Sequence, residues 1–526
     1  MIRNNEKQPL VEDKSHEAEA VGSTRSNTHF EFINESIRDF SDEKQRQQFK
    51  KSITSIKIQN TKHIDTQDLD SYITRAKKAQ QHWQATAVYQ RSAALLRAAD
   101  NITTHRDAIA GVIIREAGKT WREADAEVCE AIDFLRYYAR CAIELSIPEI
   151  LNDYPGEFNE HWIEPRGIVA VIAPWNFPLA IPLGMTVAAL ATGNAVILKP
   201  AEQTPYIAKM LVEKLHQSGI PKDILHLAPG LGETIGAQLV SDSRISTIAF
   251  TGSRQVGLNI IKTAYDTKPD QHFIKRVICE MGGKNAIIVD DSADLDQAIV
   301  GVRDSAFGFA GQKCSACSRC IVLESIHDSF VDRLVAATKT LEVGDPINPG
   351  TDIGPLIDQE AEHKAQCYIN IGHAEGHCAL AMSSPLSAEP HANRPFVGPH
   401  IFTGIQQHHS LANDEIFAPV LAVIKAKTFD EAIHIANATD YKLTGGVYTR
   451  KPSHLTKAKR EFNVGNLYLN RNITGALVAR QPFGGFGLSG IGEKAGGVHY
   501  LRQFTVPRVC SENTMRRGFV PETFDM

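Results

Sequence analysis

Four short β-branched runs, each closed by glycine, proline or Thr-Gly, restrict the fold of this chain more than any other feature. They are "GIVAVIAPWNFP", "NAVILKPAEQTP", "DILHLAPG" and "ISTIAFTGS". Such punctuation ends a strand where the backbone must turn. Helical patterns lie between the runs, which predicts βαβ units and a mostly parallel sheet. A second series runs from "KNAIIVDDSADLDQAI" through "CSRCIVLES", "PVLAVIKAKTFDEAIHIAN" and "GGVYTR" to "VGNLYLN", and predicts a second α/β domain. Ahead of both, "DTQDLDSYITRAKKAQQHWQ", "RSAALLRAADNI" and "AEVCEAIDFLRYYARCAIEL" repeat apolar residues at helical spacing and predict a helical lobe. Residues 1–60 are polar, with few aromatics, and read as a mobile or peripheral extension. The final stretch, "TVPRVCSENTMRRGFVPETFDM", has little pattern and reads as a tail that packs on a partner subunit.

Composition narrows the class. At 526 residues the chain exceeds what one core supports. A formal net charge of -5, with no block of basic residues, argues against a general nucleic-acid binder. No apolar run is long enough to span a membrane, and the first residues lack the apolar core of a secretory signal. Nine cysteines, odd in number and sparse, fit free thiols in a reducing cytoplasm.

Three of those cysteines stand close together in "GFAGQKCSACSRC", at 314, 317 and 320. An iron–sulfur cluster or structural zinc needs about four ligands, and no partner CxxC or HxxxH exists elsewhere, so no metal is expected. A thioredoxin-like pair usually holds Pro or Gly inside it, which "CSAC" lacks. Gly311 ahead of Cys314 permits tight backbone and close approach of a ligand. Cys314 is therefore the candidate reactive thiol, and Cys317 and Cys320, leading into "CIVLE", are packing residues.

"PWNFP", "ILKPAEQTP", "FTGSRQVG", "EMGGKN", "GQKCSA", "DEIFAPV" and "PFGGFGLSG" occur in this order, and together they resemble the aldehyde dehydrogenase superfamily from about residue 65 to about 505. Glu280 and Cys314 stand at that family's usual interval. The resemblance implies an α/β fold: a Rossmann-like cofactor domain (61–142 and 166–281), a second α/β catalytic domain (282–481), and a small oligomerisation extension (143–165 and 482–526). It implies Cys314 as the nucleophile that forms a thiohemiacetal, Asn176 as oxyanion donor beside the Cys314 N–H, and Glu280 as the base that hydrolyses the thioester.

The implied cofactor is NAD, held without a strict GxGxxG; "PGLGETIG", with Gly232, is only a near match. Gly252 and Ser253 would open a helix that meets the pyrophosphate. Lys199 and Glu202 would contact the adenosine ribose, the carboxylate favouring NAD over NADP. Glu415 and Phe417 would hold the nicotinamide end.

Within the family, "GQKCSACSR" and "NRNITGALVARQPFGGFGLSG" are similar to the branch that oxidises L-glutamate γ-semialdehyde, formed from 1-pyrroline-5-carboxylate, in the second step of proline breakdown. Its carboxylate contacts map onto Ser315, Gly475 and Ala476, and its flanking aromatics onto Phe177 and Phe483. The alternatives are another aldehyde, or a non-catalytic descendant. A homo-oligomer, dimer or larger, is expected, with a small-molecule substrate. Two departures stand out: the segment "SITSIKIQNTKHIDTQDLD" is an abridged version of a longer β-rich one, and the turn in "SSPLSAEPHANRPFVGPH" lacks the family's glycines.

Overall fold

A computed structural model describes residues 32–152, 154–383 and 395–515. Most of the proposed N-terminal extension, the altered turn at 384–394 and the tail at 516–526 lie outside the described residues. The described residues from Asn34 onward cluster as one unit.

The four runs become the strands Ile168–Ile172, Ala195–Lys199, Leu225–Leu227 and Ile245–Thr251, joined by Arg276–Glu280. All five pair in parallel, in the spatial order 225, 195, 168, 245, 276 by first residue. Every residue of Ile168–Ile172 and Ala195–Lys199 is buried, as expected when crossover helices cover both faces. The order reverses between Ile168–Ile172 and Ile245–Thr251. Open α/β sheets bind ligands at the carboxyl ends of strands flanking such a reversal.

The second series forms a seven-stranded sheet in the order His377–Ala381, His400–Thr403, Val420–Ala426, Cys317–Leu323, Asn285–Val289, Thr444–Tyr448 and Asn466–Leu469. It is parallel except at the His377–Ala381 edge. The helical lobe comprises Thr66–Ala85, Val88–Thr104, Arg106–Ala117 and Trp121–Leu145. Its first helix starts at a capping box, Asp65 accepting from the N–H groups of Gln67 and Asp68.

Two expectations need correction. Residues 34–60 are not a peripheral extension. Helix Glu43–Thr54 buries Phe49 and Ile53, and Phe40, Phe49 and Trp121 pack ring against ring. Ahead of it, Asn34 and the Glu35 N–H both bond Asp133 at 2.8 Å, and the Arg38 N–H donates to Asp125 at 2.9 Å. A few apolar anchors and backbone–carboxylate bonds suffice to order a polar segment. No strand precedes Glu149 among the described residues.

Residues 482–504 do not belong with an oligomerisation extension. Within them Gly490–Ile491 pairs antiparallel with Arg276–Glu280 and so adds an edge strand to the first sheet. Only from Thr505 does the chain join the exposed antiparallel sheet of Glu149–Ile150, Glu157–Pro165 and Thr505–Asn513.

Candidate active site

Cys314 follows a left-handed stretch, Phe309 (φ 52°), Ala310 (φ 53°) and Gly311 (φ 70°). Non-glycine residues rarely adopt this conformation, at a cost of roughly 1–3 kcal/mol each. A Cβ at Gly311 would lie 2.4 Å from the Ala418 carbonyl oxygen, so only glycine lets the loop pass.

Two side chains then lock the loop. Buried Gln312 donates to the Phe309 and Pro355 carbonyls, each at 3.2 Å, and accepts from the Ile357 N–H at 2.9 Å. Asn285 donates to the Cys314 and Ala316 carbonyls at 2.7 and 2.9 Å and accepts from the Thr444 N–H at 3.0 Å. Sequence reading passed over both residues, although they sit inside "GQKCSA" and "EMGGKN". Asn176 donates its amide to the Gln312 carbonyl at 3.1 Å, which holds it against the Cys314 loop.

Cys314 borders two cavities, at the carboxyl ends of the first sheet and the amino ends of the second. The larger, about 380 Å³, is lined by Asn176, Gly252, Ser253, Glu415 and Phe417. The smaller, about 120 Å³, is lined by Phe177, Glu280, Ser315, Gly475, Ala476 and Phe483. Lys199, Glu202 and Gly232 form a separate group outside both linings. There the Lys199 Nζ bonds Glu202 Oε1 at 2.6 Å, and a Cβ at Gly232 would lie 3.7 Å from that oxygen.

The charges around the sulfur are arranged for restraint. Burial, then the carboxylates of Glu280 and Glu415, push the Cys314 thiol up to about 12, while the Ser315 and Cys314 N–H groups pull the other way. Burial likewise raises Glu280 to about 8, with the Gly485 N–H and Lys494 opposing it. Glu280 Oε2 accepts from Gly485 at 3.3 Å, whereas Oε1 is shielded and has no partner among the described residues. A Cβ at Gly484 would approach Oε1 to 2.8 Å, so this glycine makes room for the carboxyl. Glu415 is fixed by the Gly283 N–H at 2.9 Å.

Such a site can add a thiol to a carbonyl carbon, steady the resulting oxygen with an amide, and deliver water from a carboxylate held near neutrality. Cys317 and Cys320 are buried in their strand with thiols raised by burial, the first to about 12. No group of three or more His, Cys, Asp and Glu among the described residues could hold a metal ion.

One further carboxylate escaped sequence reading. Glu130, on helix Trp121–Leu145, lines the smaller cavity, forms no ion pair among the described residues, and is raised to about 8 by burial and then by Glu127. Its place in an amphipathic helix gives no local sign of this.

Comparison with known proteins agrees with the geometry. A family model described as "Aldehyde dehydrogenase family" matches residues 39–510. A 1-pyrroline-5-carboxylate dehydrogenase of Geobacillus kaustophilus is 46% identical over 437 residues, 83% of this chain and 84% of that protein. The enzyme of that name from Bacillus pumilus is 43% identical over 446 residues, covering 85% and 86%. A 1-pyrroline-5-carboxylate dehydrogenase from Thermus, solved with bound NAD, superposes with a TM-score of 0.88 at 40% identity, over 92% of this chain and 100% of that one. With a family model spanning most of its length, and a thiol, an amide and a carboxylate gathered at the junction of its two sheets, the chain belongs to the aldehyde dehydrogenase family.

Proposed function

We propose that this chain oxidises L-glutamate γ-semialdehyde, the open form of 1-pyrroline-5-carboxylate, to L-glutamate with NAD, the second step of proline degradation. The observation that carries this reading is the smaller cavity. Its lining includes Ser315, Gly475 and Ala476, which offer a hydroxyl and backbone groups, and Glu130, whose carboxylate has no ion-pair partner among the described residues. Hydroxyl and N–H donors suit an α-carboxylate, and a buried carboxylate suits an α-ammonium. The relatives named above support the same substrate.

In this reading the Cys314 sulfur bonds the aldehyde carbon as the thiol proton passes to solvent, and the carbonyl electron pair moves onto the oxygen. The Asn176 amide and the Cys314 N–H donate to the oxyanion; losing one such donor costs about 3–4 kcal/mol. When bound, NAD supplies the electron-pair acceptor that turns the Cys314 thiohemiacetal into a thioester. Glu280 then takes a proton from water as its oxygen bonds the acyl carbon, and the C–S bond breaks to release the acid and the Cys314 thiolate, which regains its proton. The residues present fit a dinucleotide. The crevice lies at the strand-order reversal, Ser253 caps helix Arg254–Tyr265, and Glu202 offers acceptors for ribose hydroxyls beside Lys199. Gly232 adjoins that pair, and Glu415 and Phe417 would hold the nicotinamide end.

The test is an assay with 1-pyrroline-5-carboxylate, succinate semialdehyde and hexanal, each with NAD and NADP. The expected result is the highest kcat/KM for the first substrate with NAD. A higher value for hexanal would assign the chain to another aldehyde. Glu130→Gln should raise KM for the glutamate semialdehyde about tenfold, the loss of one buried charge-assisted contact, and leave hexanal unaffected. Equal effects on both would remove Glu130 from ammonium recognition.

We also propose a cytoplasmic homo-oligomer. Its nine cysteines are all free, and no helix among the described residues is long and apolar enough to cross a membrane. The small antiparallel sheet exposes Ile150 and Phe158 on one face, with Tyr154 exposed in the turn beside it, apolar surface suited to a second copy.

A further inference from the structure

Helix Trp121–Leu145 presents Glu123, Glu127 and Glu130 at helical spacing. Glu130 faces the smaller cavity, but the other two carboxylates are turned to lysines. Glu123 bonds the Nζ of Lys313, the residue before the nucleophile, at 2.9 Å. Glu127 bonds Lys119 at 2.6 Å, and these side chains are 0% and 1% exposed. The second oxygen of Glu127 accepts from the N–H groups of Leu179 and Ala180 at 2.8 and 3.2 Å, where helix Ala180–Ala191 begins. The Lys119 ammonium lies 3.5 Å from the centroid of the Phe177 ring and 5.0 Å from that of Phe309.

One helix therefore grips both loops of the reaction. Through Glu127 and Lys119 it holds the segment that carries Asn176 and Phe177. Through Glu123 it holds the segment that carries Cys314. Stability alone does not call for buried charge here, since well-packed apolar groups often serve a fold as well or better. What charge-assisted bonds add is direction: each fixes the position of its acceptor and donor. A displacement near 1 Å between reacting groups can cost about 100-fold in rate.

We propose that the Lys119–Glu127 and Lys313–Glu123 pairs act as positioning residues that set the separation of the Asn176 amide from the Cys314 sulfur. None of the four lines either cavity. The inference rests on the proposed roles of Cys314 and Asn176, and not on the identity of the aldehyde.

The experiment measures acylation of Cys314 by p-nitrophenyl acetate, which needs the thiol and the oxyanion donors but neither cofactor nor semialdehyde. In that step the sulfur bonds the acetyl carbon, p-nitrophenolate leaves, and the thiol proton passes to solvent. Two paired variants are compared with the parent chain, Lys119→Met/Glu127→Gln and Lys313→Met/Glu123→Gln. Both remove the charges together, so neither strands one in the interior. The second pair is partly exposed, which keeps the question answerable if the first variant does not fold. The expected result is an acylation rate constant at least tenfold lower in each folded variant, with KM for the ester within twofold and Tm within a few degrees. A rate constant within threefold of the parent in a folded variant would show that the pair serves stability only and overturn the proposal. Failure of the parent to turn over glutamate semialdehyde, with normal acylation, would count against the substrate and leave this test intact.

Discussion

Cys314→Ala should lower semialdehyde oxidation by about 10⁴-fold or more while leaving NAD affinity and Tm close to those of the parent chain. No other thiol can take its place. Cys317 and Cys320 are buried within their strand, and Cys317 is turned onto the Arg319 carbonyl at 3.3 Å. The cavity that borders the sulfur is lined mostly by other side chains and by backbone, so cofactor binding should survive. Steady-state rates together with a fluorescence titration of NAD check both halves. Residual turnover above about 1% would move the nucleophile elsewhere.

Glu280→Gln has the second largest expected effect, and three observables should move together. First, hydrolysis of the thioester should slow by about 10²–10⁴-fold, the range for loss of a positioned base, so that one equivalent of acyl-enzyme accumulates in a burst. Second, the Cys314 thiol should become easier to ionise, because the Glu280 charge is one of the causes that raise it, after burial itself. Iodoacetamide at pH 9 should then alkylate the variant about threefold faster or more.

Third, stability should change with pH in a fixed direction. Glu280 is raised in the fold from 4.5 to about 8, so the fold favours its protonated form. That contribution is complete below about pH 4.5 and is lost as pH rises through about 8, where the buried carboxyl must ionise. The amide carries no such cost, and the variant should exceed the parent by roughly 1–2 kcal/mol at pH 9 while differing less at pH 5. Thermal unfolding at the two pH values checks the sign. The rising limb of kcat with pH near 8 should vanish in the same variant.

The sheets were legible because their signals are local. A run such as "GIVAVI" needs nothing beyond its own residues and its closing proline to read as a strand. The residues around Cys314 were legible through the order of the motifs. What the sequence concealed were contacts whose partners lie far apart along the chain. Glu123, Glu127 and Glu130 look like the wet face of an amphipathic helix, and only the fold sets them against Lys313, Lys119 and the smaller cavity. Residues 34–60 misled for a related reason: three apolar anchors, Phe40, Phe49 and Ile53, are too few to show as a period, yet all are buried. The segment 482–504 was misplaced because glycine-rich sequence reads as loop, whereas here it signals close approach to Glu280.

The antiparallel pairing of Gly490–Ile491 with Cys279 and Glu280 ties the proposed base to a segment far along the chain from it. Chains are made from the amino terminus and fold as they emerge. A growing polypeptide therefore carries Cys314 before Gly490–Ile491 can pair with Glu280. A chain interrupted between Cys314 and Gly490 would carry the proposed nucleophile without the strand that seats the proposed base. In such a chain an acyl group placed on Cys314 would lack that carboxylate for its removal.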